Sequence, residues 1–178
     1  RRRKVRAAGS TPAGPGAALP PFVDGGLPVL NEADALPWVP GRFGPSFRPI
    51  VVDNGSTDGS AEVARACGAT VISEAIPGFG SACFAGLCAA EADIVAFMDC
   101  DGSLDPTDLG TVVGPIVNAT ADLVMGARDP ERGAWPIPAR IGHRDVARRV
   151  RLLTGISRRT FGPLTAPRRV PLLVLVLV

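Results

Sequence analysis

Between residues 49 and 126 the sequence alternates between short apolar runs and segments with helical features. The apolar runs are five or six residues long and are bounded by turn-forming residues, which is typical of buried strands. The segments between them have Asp, Gly or Pro at their starts and carry the small or apolar residues of packed helices. Such alternation predicts an α/β fold with a mostly parallel sheet and helices on both faces. The predicted strands are 49–53, 69–73, 93–98 and 121–126, and the predicted helices are 58–67, 80–92 and 106–118.

Two carboxylates follow the third apolar run. Asp99 and Asp101 are one residue apart, at the end of a predicted strand, where ligands bind in this type of sheet. Carboxylate oxygens suit Mg²⁺ or Mn²⁺, which bridge to diphosphate oxygens, and two like charges so close are costly without a cation. We therefore predict that Asp99 and Asp101 hold a divalent cation, whereas Asp105, before Pro106, is interpreted as a helix cap.

Two other segments end in polar side chains. Asp53 ends the first predicted strand, within the sequence VVDNGSTDGS at 51–60, and its carboxylate could accept hydrogen bonds from a base or a ribose. Ser56 and Asp58 are predicted to cap the next helix, with Asp58 at the N-cap. The segment LPVLNE at 27–32 ends in an amide and a carboxylate.

The formal net charge is only +2, but the charges are strongly segregated. Residues 1–6 carry five positive charges, and residues 7–127 carry three Arg against fourteen Asp and Glu. Residues 128–169 carry eleven Arg against three acidic residues. The acidic part suits a metal-binding pocket, and the Arg-rich part suits phosphate, an anionic lipid head group or nucleic acid. A solvated charged face explains any single Arg equally well.

The cysteines and the apolar segments indicate a compartment. The four cysteines include no CxxC pair and the chain has one His, which argues against structural zinc; free thiols favour a reducing environment. Residues 170–178 are apolar but far shorter than the roughly 20 residues that cross a bilayer. We therefore expect no transmembrane span and a cytoplasmic location, at most peripheral to the inner face of the membrane.

Taken together, these segments resemble the family 2 glycosyltransferases of the GT-A fold, a Rossmann-like α/β fold. The resemblance rests on Pro-x-x-Asn-Glu at 28–32, VDNGSTDG at 52–59 and Asp-x-Asp at 99–101, in that order. Gly-Ala-Arg at 126–128 and Trp-Pro at 135–136 are similar to the polyprenyl-phosphate mannosyl- or glucosyltransferase branch. The resemblance implies metal-dependent sugar transfer from a nucleotide-sugar donor to an anionic acceptor, such as polyprenyl phosphate at the membrane surface, with no nucleic-acid partner.

The resemblance also implies roles for residues of the acidic part. Pro28, Glu32 and Asp53 would line the nucleotide pocket. Asp99 and Asp101 would be the metal ligands. Asp99 would also contact the substrate, and Asp101 would also be a catalytic residue.

On the Arg-rich side, the resemblance implies that Arg128 contacts phosphate as a second catalytic residue and that Arg140 approaches the acceptor phosphate. A phosphate acceptor is already an anionic nucleophile at neutral pH, so it needs positive guidance more than a strong general base. The expected regions are a flexible basic, Pro- and Gly-rich lead at 1–26, a family 2-like catalytic domain at 27–169 and an apolar tail at 170–178.

Two alternatives remain open at this point. The string at 95–105 also resembles the opening motif of haloacid-dehalogenase-type phosphatases, which use Mg²⁺ and in which the first Asp is the nucleophile. That family requires a Lys or Arg downstream of this motif and then a further acidic pair. Here the only Lys, Lys4, lies upstream of the motif. The other alternative is a truncated, non-catalytic glycosyltransferase-like remnant, because Pro-Phe-Val-Asp-Gly-Gly-Leu at 21–27 predicts a broken first strand at the centre of the sheet.

Overall fold

The structure is a computed structural model that describes residues 5–7, 23–128, 148–149, 152 and 164–177. Each of the seven predicted helices and strands has a counterpart there, with shifted bounds. The elements are β1 (Val5–Ala7), β2 (Val23–Val29), β3 (Phe47–Asp53), α1 (Ser60–Ala66), β4 (Thr70–Ser73), α2 (Phe79–Ala89), β5 (Val95–Phe97), α3 (Leu109–Val117), β6 (Leu123–Arg128), β7 (Thr165–Pro167) and α4 (Arg169–Leu177).

The strands form one sheet in the order β1-β6-β7-β5-β2-β3-β4. The neighbours β5, β2, β3 and β4 are parallel. β7 is antiparallel to β5 and β6, and β1 is antiparallel to β6. Five of these seven strands therefore run in one direction, so the prediction of a mostly parallel α/β sheet is confirmed. The strand predicted at 121–126 is β6, but β7 separates it from β5.

Helices cover both faces of the sheet, as predicted. Successive side chains of a strand point to opposite faces, and in β3 this sends Val51 into one core cluster and Ile50 and Val52 into the other. The Val51 side packs against α1 and α3. The other side packs against α2 and, through Leu172 and Leu173, against α4. In the described part of the chain, no helix is both long enough and apolar enough to span a membrane.

The expectation of a broken first strand is wrong. β2 pairs with β3 along its whole length and with β5 over Asp24–Gly26. A Cβ atom added to Gly26 would lie 2.7 Å from Cε1 of Phe97, and one added to Gly25 would collide with the ring of Phe43. Glycine is therefore the residue that fits between these rings, and local propensity is overridden by packing.

The boundary expected at residue 27 also needs correction. β2 begins at Val23, and Val5–Ala7 pairs with β6 at the edge of the same sheet. Val5–Ala7 and the first four residues of β2, 23–26, lie within 1–26, which the sequence assigned to a flexible lead. The sheet therefore includes residues on the amino-terminal side of that boundary.

An ion pair between a buried carboxylate and a partly exposed arginine stabilises the amino end of β2. Asp24 is fully buried, and its oxygens accept bonds from Arg48 Nε at 2.7 Å and Arg48 Nη2 at 2.9 Å. The backbone N–H groups of Glu91 and Ala92 donate to the same carboxylate at 2.6 and 2.9 Å. Burial raises the pKa of Asp24, but Arg48 and the two N–H donors outweigh it, so the pKa is lowered.

Candidate functional site

The sheet order reverses direction between β2 and β5. From β2 the chain continues to β3 and β4 on one side, whereas β5 lies on the other side of β2. In parallel sheets such a reversal opens a crevice beyond the carboxyl ends of the strands. Glu32 lies just beyond the end of β2, and Asp99 and Asp101 lie just beyond the end of β5. The fold therefore places the predicted carboxylates on both sides of this crevice.

Asp99 and Asp101 differ in their surroundings. Asp99 is half-buried and Asp101 is exposed, while Cys100 between them is buried in the core. Asp101 Oδ1 accepts the N–H of Ser103 at 2.8 Å, which fixes the turn after the strand.

Asp105 has a separate, structural role, as predicted. Its Oδ1 accepts the N–H of Thr107 at 3.1 Å and caps the short 3-10 turn Pro106–Asp108 that leads into α3. Its Oδ2 pairs with Arg42 Nη2 at 3.1 Å. The backbone donor and the guanidinium hold the pKa of Asp105 below its usual value, although burial alone would raise it.

The electrostatics show that the carboxylates interact across the crevice. The pKa of Glu32 is raised by burial and then by the charges of Asp101, Asp58 and Asp99. The pKa of Cys100 is raised to about 12. Burial is the largest cause, followed by the charges of Glu32, Asp101 and Asp99. The acidic side chains of the loops after β2 and β5 therefore form a negative site, in which a cation would be favoured.

The donor set fits a divalent cation that is shared with a ligand. Within the described ranges, no group of three or more His, Cys, Asp or Glu side chains is arranged to hold a metal ion by itself. Mg²⁺ commonly binds through one or two carboxylates, with waters and substrate phosphates completing its shell. Asp99 and Asp101 supply that number of hard oxygen ligands. Their role as metal ligands stays a prediction.

The loop after β2 is fastened to the loop after β3. Asn31 has a left-handed backbone with φ 58°, which Asn tolerates better than most residues. Its N–H donates to Ser56 Oγ at 2.9 Å, and its Oδ1 accepts the N–H of Thr57 at 2.8 Å. This crosslink connects residues 25 and 26 positions apart in the chain. The sequence contains Asn31 in its motif but gives no signal for this contact.

The next two N–H groups are fastened in the same way. Glu32 N–H donates to Ser60 Oγ and Ala33 N–H to Asp58 Oδ2, each at 3.0 Å. The prediction that Asp58 is the N-cap of the following helix is wrong: α1 begins at Ser60, and its N-cap is Gly59 with φ 84°. Asp58 accepts the Ser60 N–H with one oxygen, but its other oxygen reaches across to the loop that carries Glu32.

Asp53 and Pro28 lie at the same edge. Asp53 ends β3, is aligned with Val29 and accepts the N–H of Ser56 at 3.3 Å. Pro28 is half-buried and lies beyond Gly26, where the pairing of β2 with β5 ends. Proline lacks the N–H needed for a ladder, so this position suits it. The structure thus brings Pro28, Glu32 and Asp53 to the carboxyl ends of two neighbouring strands.

Asn54 lies at the edge of the site, and its place in the sequence predicts no role for it. Its Nδ2 donates to the carbonyl oxygens of Glu74 at 2.9 Å and Ile76 at 2.8 Å, and its Oδ1 accepts the N–H of Gly78 at 2.7 Å. One amide therefore fixes the loop between β4 and α2. An Asn directly after a predicted strand is a weak signal, because many turns contain one.

The predicted arginines are located only in part. Arg128 is the last residue of β6, which runs in the same direction as β5, so its backbone lies toward the edge that carries Asp99. Its side chain and all of Arg140 lie outside the described residues. The roles of both stay predictions.

The sheet order and the acidic crevice together define a GT-A glycosyltransferase fold. A family model described as "Glycosyl transferase family 2" matches residues 29–165. The chain therefore belongs to glycosyltransferase family 2, as the motifs predicted, and the alternative of a haloacid-dehalogenase-type phosphatase is set aside.

Individual relatives agree with this assignment. An uncharacterized glycosyltransferase of Mycobacterium bovis is 43% identical over 148 residues, which are 83% of this chain and 67% of that protein. Glucosyl-3-phosphoglycerate synthase from Mycobacterium tuberculosis, crystallised with Mn²⁺, UDP-glucose and phosphoglyceric acid, has a TM-score of 0.69 at 25% identity, covering 89% of this chain. A complex of that enzyme with Mg²⁺ and UDP has a TM-score of 0.65 at 27% identity, covering 83% of this chain and 56% of that chain. This chain spans 64% of the length of the synthase chain in the complex with UDP-glucose.

Proposed function

We propose that this chain binds a nucleotide-sugar together with Mg²⁺ or Mn²⁺ and transfers the sugar to a phosphorylated acceptor. The observation that carries the proposal is the pair Asp99 and Asp101 at the end of β5, facing Glu32 across the point where the strand order reverses. The likeness to a synthase crystallised with UDP-glucose and Mn²⁺ supports the same donor chemistry.

Each residue at the carboxyl edge has a place in this proposal. Asp99 and Asp101 hold the cation, which when bound offsets the negative charge that develops on the leaving diphosphate. Asp53 and Glu32 accept hydrogen bonds from the nucleoside, and Pro28 lines the pocket beside them. Because Asp99 is half-buried and Asp101 exposed, the pair offers ligands at two depths of the crevice.

The acceptor side rests on the arginines. Eleven Arg against three acidic residues in 128–169 suit an anionic acceptor, and the structural neighbour was crystallised with phosphoglyceric acid. Arg128 contacts phosphate in this scheme, and Arg140 guides the acceptor. A polyprenyl phosphate at the cytoplasmic membrane surface is the finer proposal, because its phosphate is an anionic nucleophile that needs no strong general base.

A thermal-shift titration tests the donor site. Melting is followed with UDP and with GDP, each with and without Mn²⁺; a ligand at about 100 times its Kd stabilises the fold by about 2.7 kcal/mol. We expect a shift that requires both metal and nucleotide, and its loss in Asp99→Asn and Asp101→Asn. Asp93→Asn is the matched control, because it removes the same charge at the opposite end of β5. No metal-dependent shift with either nucleotide would refute the proposed function.

A transfer assay separates an enzyme from a non-catalytic remnant. UDP or GDP release from the sugar donor is measured with 3-phosphoglycerate and, separately, with polyprenyl phosphate in phospholipid vesicles. Acceptor-dependent release supports transfer, and the acceptor that stimulates release identifies the acceptor class. Nucleotide binding without release under either condition would support the remnant instead.

A further inference from the structure

The turn after β2 depends on hydrogen-bond partners from a distant part of the chain. Ala35 and Leu36 donate N–H bonds to the carbonyl of Glu32 at 3.0 and 3.1 Å, so a helical turn begins at Glu32. The first N–H groups of such a turn have no partner within it and need one from elsewhere. Here those of Glu32 and Ala33 find side chains 28 and 25 residues away in the chain.

Asp58 and Ser60 form a short relay of hydrogen bonds to this turn. Glu32 N–H donates to Ser60 Oγ at 3.0 Å, and that hydroxyl donates in turn to Asp58 Oδ1 at 2.5 Å. Asp58 Oδ2 accepts the N–H of Ala33. Because a carboxylate ends the relay, each bond polarises the next. Ser60 is fully buried, so its hydroxyl is held in this one arrangement.

Electrostatic repulsion opposes the position of the Glu32 carboxylate. The Glu32 carboxylate lies near the charges of Asp101, Asp58 and Asp99, and in the absence of a cation these like charges favour moving it away. The bonds from the backbone of residues 32 and 33 oppose that movement, since the loop cannot shift without breaking them.

We infer that Asp58 and Ser60 are positioning residues that hold Glu32 at the edge of the nucleotide pocket through the backbone of residues 32 and 33. The inference rests on the proposed function and adds two residues to it. Neither side chain needs to contact the nucleotide; both act through Glu32.

A double-mutant cycle on nucleotide binding tests this inference. Affinity for the nucleoside diphosphate in Mn²⁺ is measured by calorimetry for Ser60→Ala, Glu32→Gln and the double variant. We expect Ser60→Ala to weaken binding roughly tenfold, because the part-buried N–H of Glu32 loses its partner and the turn no longer holds the Glu32 carboxylate in place. In the Glu32→Gln background the same substitution should change affinity by less than about twofold, since coupled residues are non-additive.

Two further variants complete the experiment. Asp58→Asn keeps the size of the side chain and substitutes for Ser60→Ala if that variant does not fold. Thr111→Ala is the control, because it removes a comparable bond, from Oγ1 to the Asp108 carbonyl at 2.7 Å in α3, and should leave affinity unchanged.

The outcomes distinguish this inference from the proposed function. If Ser60→Ala weakened binding by the same factor in the wild-type chain and in the Glu32→Gln background, the positioning role would be overturned and nucleotide binding would stand. A wild-type chain that binds neither UDP nor GDP with Mn²⁺ would refute the proposed function and this inference with it.

Discussion

Replacing Gly26 with Ala should destabilise the fold, although Ala normally suits a strand interior better than Gly. Gly26 lies in β2 between β3 and β5. The added Cβ would lie 2.7 Å from Cε1 and 2.8 Å from Cδ1 of Phe97, closer than real Cβ contacts occur. The Phe97 ring is itself buried in the core between the sheet and α2, so it has little space into which to move.

The magnitude follows from two opposing effects. Adding a methyl group to a well-packed core costs about 1–3 kcal/mol. Replacing Gly with Ala also stiffens the unfolded chain, which stabilises the fold by about 0.4–1 kcal/mol. The midpoints of these two ranges give an expected net loss in the free energy of unfolding of about 1.3 kcal/mol.

Urea denaturation followed by circular dichroism measures this loss. Gly110→Ala in α3 is the matched control, because its added Cβ would meet nothing within 4 Å; its stability should stay equal or rise by at most about 1 kcal/mol. Phe97→Leu shortens the opposing ring, so Gly26→Ala should cost less in that background. Strict additivity of the two substitutions, or an unchanged stability in Gly26→Ala, would refute the packing explanation of the glycine.

Three other predictions concern charge and thiol chemistry. Arg48→Met should lower the free energy of unfolding by about 3 kcal/mol at pH 7, because it leaves the buried Asp24 charge without its guanidinium. Since the pKa of Asp24 is lowered in the fold, that stabilisation is present at neutral pH and should disappear as the pH falls through this pKa, below 3.8; a pH series of melts checks this. The raised pKa of Glu32 has the opposite effect on stability, because the charge of Glu32 costs stability above that pKa. Glu32→Gln should therefore melt at a higher temperature than the wild-type chain at pH 7, and this gain in stability should vanish below pH 4.5. At pH 8 iodoacetamide should label exposed Cys88 well before buried Cys100, whose pKa is raised to about 12; equal rates by mass spectrometry would contradict the burial of Cys100.

The fold was predictable where structure is local. The alternation between 49 and 126 predicts four strands and three helices because each element carries its own apolar pattern and its own boundaries. β7 has three residues and joins the sheet 37 positions after the end of β6, so no local pattern marks it. The sequence of β2 predicts a broken strand for a related reason. Gly25 and Gly26 are required by the rings of Phe43 and Phe97, which are distant in the sequence.

The candidate site was likewise predictable only in its local features. A carboxylate at the end of an apolar run can be recognised from the sequence, and this singles out Asp53, Asp99 and Asp101. The crosslink from Asp58 to Ala33 could not be recognised, because Asp before Gly-Ser predicts a local helix cap equally well. Only the parallel pairing of β2 with β3 brings the two loops close enough for the longer-range bond.

The two acidic residues near the ends of β2 show how one strand can serve both stability and ligand binding. Asp24 at its amino end meets a guanidinium and two N–H donors, which lower its pKa. Glu32 lies just beyond its carboxyl end, and its pKa is raised by burial and then by the charges of Asp101, Asp58 and Asp99. The first charge is neutralised within the chain, whereas the second adds to a repulsion that the hydrogen bonds of residues 32 and 33 must resist. A cation bound beside Asp99 and Asp101 would relieve that repulsion. Adding metal should therefore raise the folding stability, and the increase should be smaller in Glu32→Gln.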